Sequence, residues 1–123
     1  MGTTGSGITG DIRTMVRHCS AEENRKSGIV VLGESVVVEN RASHNGMGVA
    51  AAGIDTSGGS GSRVEANHAR DNNGTGLLTN GGDVVIRNTT GNNTVNFSPS
   101  SGANFGPLQS PASAASPLAN IVF

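Results

Sequence analysis

Valine recurs along this chain at Val16, Val37, Val64 and Val85, and three residues after each stands a small polar position: Cys19, Asn40, Asn67 and Asn88. Two residues further on comes a small residue, Ala21, Ala42, Ala69 or Thr90, and three beyond that a second asparagine, Asn24, Asn45, Asn72 or Asn93. The register advances by 21, 27 and 21 residues. A glycine followed by an aliphatic residue supplies another marker at Gly7-Ile8, Gly28-Ile29, Gly48-Val49 and Gly76-Leu77. Within short runs the aliphatic residues are spaced by two, as in Ile29 and Val31, which is the strand period. Short strands separated by Gly and Asn turns, at a period in the twenties, predict stacked coils.

Helical solenoids need longer periods and helix-forming runs, and leucine-rich repeats need leucine at fixed spacing; neither pattern is present. The expected architecture is an all-β parallel β-helix, a single-stranded solenoid of about four coils over residues 1–93. Stacking about 4.8 Å apart places identical positions above one another, so asparagine amides bond to the amide in the next coil as ladders. The predicted ladder positions are Cys19, Asn40, Asn67 and Asn88, and Asn24, Asn45, Asn72 and Asn93. Cys19 fits as a small buried side chain. The six-residue excess of the long step is expected as a loop within Ala52–Gly61, near residues 53–61, since insertions at turns leave the stack undisturbed.

All four prolines and all three phenylalanines lie after Asn93. Proline is excluded from central strands, so residues 94–123 are expected as an extended tail rather than a coil. Phe97, Phe105, Pro107, Leu108, Leu118 and Phe123 are its predicted anchors, as a cap or an oligomerisation segment.

Composition narrows the function. A chain of 123 residues with 19 glycines and no Trp or Tyr cannot build a broad core from large side chains. Net charge of −1 argues against a nucleic-acid partner, no run is long and apolar enough to span a membrane, and one cysteine excludes an internal disulfide. Residues 1–4 lack the apolar run of a secretory signal, and the chain is expected to begin partway through a repeat, as a truncated portion of a longer solenoid.

The repeated Val-x-x-Asn/Cys-x-Ala-x-x-Asn resembles the right-handed parallel β-helix repeat proteins of bacteria, the broad group with pectate-lyase-like folds. Asn96-Phe97, Gly102 to Leu108 and Pro117-Leu118-Ala119-Asn120 are similar to the C-terminal segment of many such proteins, except that Ala103 intervenes and Leu118 replaces an aromatic. The resemblance implies a right-handed coil, a chain end, and an extracellular or cell-surface location.

Related folds include polysaccharide lyases and hydrolases, so acids and bases in one column are the candidates. Glu23, His44 and Asp71 occupy one position in successive coils, with Arg70 one step earlier in the third. An imidazole between carboxylates suits acid–base chemistry or a metal, but a solvated face of mixed charge is the commoner meaning of such a column. His18, Glu39 and Arg87 share another column interrupted by Ala66, and Arg41 and His68 a third; a structural role is the better reading of both. Gly5 to Gly10 matches GxGxxG without a strand before it or a helix after it, so no cofactor is expected. Asn73-Gly74-Thr75, Asn88-Thr89-Thr90 and Asn92-Asn93-Thr94 match the glycosylation pattern, yet Asn88 is expected to point inward. The leading expectation is a non-catalytic assembly module, more an architectural element than an enzyme, forming a homo-oligomer with a trimer as the expected form by analogy with β-helical fibres. A carbohydrate-active or carbohydrate-binding solenoid, or a phage-like fibre or adhesin fragment, is the alternative.

Overall fold

The computed structural model describes residues 5–98 and 102–123. Short strands wind through three faces per turn. The first coil contains β1 (Ile8–Thr9), β2 (Met15–Arg17) and β3 (Ser20–Glu22). The second contains β4 (Ile29–Val30), β5 (Val36–Val38) and β6 (Arg41–Ser43). The third contains β7 (Ile54–Asp55), β8 (Arg63–Glu65) and β9 (His68–Arg70). The fourth contains β10 (Thr75–Leu78), β11 (Val84–Ile86) and β12 (Thr89–Gly91). Then follow β13 (Val95–Ser98), β14 (Asn104–Phe105), β15 (Leu108–Gln109), a 3-10 turn at Pro111–Ser113, and β16 (Asn120–Val122). Every pairing is parallel. The sheets run β1-β4-β7-β10-β13 (sheet A), β2-β5-β8-β11-β14 (sheet B) and β3-β6-β9-β12-β16-β15 (sheet C).

In every strand but β15 one residue faces inward, and its column fills the narrow interior. Sheet A contributes Ile8, Ile29, Ile54, Leu77 and Phe97; sheet B contributes Val16, Val37, Val64, Val85 and Phe105; sheet C contributes Ala21, Ala42, Ala69, Thr90 and Val122. Small side chains on one wall leave room for branched ones on the other two. At the C-terminal end Phe97 and Phe105 close the tube, edge to face with ring centroids 5.7 Å apart.

The coil turns at three corners, each built the same way. A residue in the left-handed region is followed by an inward polar residue. Glu39, Ala66 and Arg87 precede Asn40, Asn67 and Asn88; His44, Asp71 and Asn92 precede Asn45, Asn72 and Asn93. Glu34, Gly61 and Gly82 precede Ser35, Ser62 and Asp83 at the third corner. Left-handed φ costs a non-glycine residue about 1–2 kcal/mol, and the ladder bonds of the next residue offset it. Asn45, Asn67, Asn72, Asn88 and Asn93 each accept on Oδ1 from both the backbone N–H and the Nδ2 of the asparagine one coil before. Asn67, for example, takes bonds of 2.9 and 3.0 Å from Asn40. Its own Nδ2 donates to Asn88 Oδ1 at 3.0 Å and to the Val37 carbonyl at 2.8 Å. The amides are thus satisfied by copies of themselves.

Cys19 sits in the predicted column, and its backbone N–H donates to Asn40 Oδ1 at 2.9 Å. Its thiol is half-buried and donates to the Arg17 carbonyl. The column continues past the predicted range to Asn120, which accepts from Asn88. The third ladder escaped the sequence reading because its residue type changes: Ser35 N–H donates to Ser62 Oγ, and Ser62 N–H to Asp83 Oδ1 at 2.8 Å.

Two expectations are corrected. The glycine–aliphatic pair of the third coil is Gly53-Ile54, since Ile54 pairs with Ile29 and Leu77; Val49 is 49% exposed. The six extra residues are therefore divided. Asn24 to Ile29 is five residues and Asn45 to Ile54 is nine, while Ile29 to Val37 is eight and Ile54 to Val64 is ten. Four of the six thus precede Gly53, because the turn after Asn45 can bulge without disturbing either ladder. The glycine itself is required: a Cβ on Gly28, Gly53 or Gly76 would lie 2.6 Å from the Nδ2 of Asn45, Asn72 or Asn93.

The tail is the second correction. Parallel pairing does not stop at Asn93; β13, β14 and β16 lie on β10, β11 and β12 as a fifth turn. Pro107, Pro111 and Pro117 all fall between strands, so they punctuate the turn without costing ladder bonds. Pro99 lies outside the described residues. Where the chain passes itself, a Cβ on Gly106 would sit 1.9 Å from the Leu118 carbonyl oxygen, so the crossing admits only glycine.

Candidate functional site

Glu23, His44 and Asp71 occupy left-handed corner positions directly before Asn24, Asn45 and Asn72. The ladder holds those asparagines inward, so the preceding side chains are turned outward in one stacked column. They line one cavity of about 340 Å³, with Asn45, Met47 and Asn73 completing the wall. Met47 belongs to the part of the insertion that precedes Gly53 and is 67% exposed.

Within the column, His44 Nε2 lies 3.8 Å from Asp71 Oδ2, and Arg70 Nε donates to the same Oδ2 at 2.7 Å. Burial draws the Asp71 carboxyl upward, but hydrogen bonds from Arg70 and Asn92 and the charges of Arg70 and His44 outweigh it, leaving it below the ordinary carboxylate range. An aspartate so held is a weak base. Among the described residues, no three His, Cys, Asp or Glu side chains are grouped to hold a metal ion. The column thus brings His44 and Asp71 together, with Glu23 beside the same cavity, but the carboxylate it presents is already neutralised.

The other columns behave alike. His18 and Arg17 both approach Glu39, Arg13 bonds Glu34, and Arg41 approaches Glu22. Glu65 lies between Arg63 and Arg87; the Arg63 hydrogen bond and both positive charges hold its carboxyl below the usual value against the opposing effect of burial. The gap at Ala66 opens a shallow groove of about 620 Å³ lined by His18, Cys19, Glu39, Arg41 and His68. His68 stacks on Phe123 with centroids 5.9 Å apart, and the Arg70 guanidinium lies 5.8 Å from the centre of that ring. Burial, then the charges of Arg70 and Arg41, lowers the His68 pKa, so its imidazole is neutral at pH 7.

A scan against family models matches a right-handed β-helix region over residues 1–106. Three parallel sheets wound from one chain agree with it. The chain belongs to the right-handed β-helix family. Searches of curated proteins and of solved structures gave no match. In this β-helix no helix among the described residues is long and apolar enough to cross a membrane.

The predicted tail anchors divide into two groups. Phe97 is buried in the core, and Phe105 packs against it half-buried. Leu108, Leu118 and Phe123 are 53%, 44% and 47% exposed, Pro107 is exposed, and Val95, missed by the sequence reading, is 46% exposed. Leu118 and Pro107 also line a cavity of about 370 Å³ with Val84, Ile86 and Phe105. A further signal was legible but overlooked. Residues 88–123 contain no Asp, Glu, Lys, Arg or His, so every ionisable side chain lies in the earlier coils.

Proposed function

We propose that this β-helix is a non-catalytic assembly module that self-associates through its C-terminal end. The uncharged last turn carries the reading. A surface meant to stay free in solution is designed with roughly 25–35% charged residues, whereas the centres of interfaces are depleted of charge. A surface bearing Val95, Leu108, Leu118 and Phe123 and no charged side chain of its own can lose its water without desolvating a side-chain charge from that turn. The last turn itself offers no charged side chain to a charged partner, so a second copy presenting the same surface fits best. A trimer is the expected form.

The test is mass in solution by light scattering, for the full chain and for Leu108→Glu/Leu118→Glu. The native chain is expected as an oligomer and the variant as a folded monomer. A native chain that stays monomeric at high micromolar concentration overturns the reading. Removing the tail would be a poor substitute, because it would also remove Phe97 and Phe105 from the core.

A carbohydrate-binding reading draws on the cavity shared by Glu23, His44 and Asp71. Calorimetric titration with acidic and neutral oligosaccharides should then give heat that His44→Ala abolishes. No heat with the native chain removes this alternative.

A further inference from the structure

The last strand does not follow its predecessor in the way the other coils do. β15 and β16 are consecutive in sequence, yet β16 is inserted beneath β15, between it and β12. β15 therefore overhangs, and the chain returns through residues 110–119 to fill the level it skipped.

What holds β16 is the slot rather than the linker. Asn120 accepts from Asn88 N–H and Nδ2 at 3.0 Å each, and its Nδ2 donates to the Val85 and Gly106 carbonyls. Its backbone N–H donates to the Pro107 carbonyl, and Ile121 and Phe123 donate to the Asn88 and Thr90 carbonyls. Phe123 completes the contact against His68, Arg70 and Gly91. These partners all lie before β15.

The linker is exposed except at Ser116 and Ala119, and contains Pro111 and Pro117. It is folded back by Gln109 Oε1, which accepts from the Ala115 and Ser116 backbone N–H groups at 3.1 and 3.3 Å. Stepping back one strand length and one level needs roughly 10 Å, whereas residues 110–119 extended reach about 33 Å. The slack is about threefold. A strand recognised wholly by a slot, on a long proline-bearing linker, at the end already read as self-associating, fits the slot of a second copy equally well.

We propose that β16 exchanges between copies: residues 120–123 of one chain occupy the slot between β12 and β15 of another, with Phe123 placed against that chain's His68 and Arg70. The inference rests on self-association through the same end and adds its means. The exchanged strand retains every bond of the closed form described above except those made by the refolded linker.

The experiment uses the full chain with Cys19→Ala, Thr89→Cys and Ile121→Cys. Thr89 and Ile121 are register partners on β12 and β16, within the Cα separation a disulfide requires. The oxidised protein is sized in solution and then denatured without reductant. Chains joined to one another after denaturation are the expected result. An oligomer whose chains separate, each closed on itself, overturns exchange and leaves self-association standing. A monomer closed on itself overturns both. A short bis-maleimide on the reduced pair gives the same readout where the disulfide does not close.

Discussion

Truncating one rung of the central ladder tests the account of what holds the coils in register. Asn67 is 1% exposed and makes four side-chain hydrogen bonds, two accepted from Asn40 and one donated to each of Val37 and Asn88. Asn67→Ala removes all four. The Asn88 Oδ1 keeps the bond from the Asn67 backbone N–H, and the Asn40 Nδ2 keeps the Val16 carbonyl. The Asn40 backbone N–H loses its acceptor in a buried site, and the Val37 carbonyl loses a donor. At about 1–3 kcal/mol for each buried group left unsatisfied, the substitution should cost roughly 3–5 kcal/mol, against about 5–15 kcal/mol for a domain. Urea unfolding followed by far-UV circular dichroism is the assay, because the chain has no Trp or Tyr to report by fluorescence. The midpoint should fall steeply with the slope unchanged. Asn67→Asp should be worse at neutral pH, since a carboxylate oxygen would face two acceptors in a buried site. Burial raises the folded pKa of that carboxyl, so its relative stability should return as pH falls and the acid becomes a donor. A cost below about 1 kcal/mol for Asn67→Ala would refute the claim that the amides hold the register.

Asp83 is fully buried and accepts from Ser62 N–H, Asn80 N–H and Thr56 Oγ1. Asp83→Asn turns one acceptor into a donor facing other donors and should cost about 1–3 kcal/mol by the same unfolding assay. The His68 pKa is lowered in the fold, so the unfolded chain binds the proton more readily; stability should be full above about pH 6.5 and decline as pH falls below it. Midpoints measured from pH 8 to 5 should show that decline, and His68→Gln should remove it. Cys19→Ala, at the first rung, where the thiol makes a single weak bond to the Arg17 carbonyl, should shift stability by less than about 1 kcal/mol.

The two asparagine columns were legible because each keeps one residue type through several coils, and an amide is the side chain that can both donate to and accept from its own copy. The Ser35–Ser62–Asp83 column obeys the same geometry with different chemistry, and no repeat of letters betrays it. The misplacement of the third glycine–aliphatic pair has a related cause. Gly48-Val49 and Gly53-Ile54 read alike in one dimension, and only pairing with Ile29 and Leu77 separates them. At the candidate site, the stacking of Glu23, His44 and Asp71 followed from spacing, whereas the Arg70 bond that neutralises Asp71 and the wall supplied by Met47 depended on where the loop and side chains lie.

By itself, the chain of letters determined the solenoid, its inward columns and its two asparagine ladders, because repeated spacing translates directly into stacking when coils lie about 4.8 Å apart. The tertiary structure decided how the solenoid ends. Prolines and phenylalanines marked residues 94–123 as different, but those residues belong to no repeat. Their strands form because β10, β11 and β12 present unpaired edges and an open apolar tube. Phe97 and Phe105 fill that tube, and β16 reaches its slot by a path that no local pattern records.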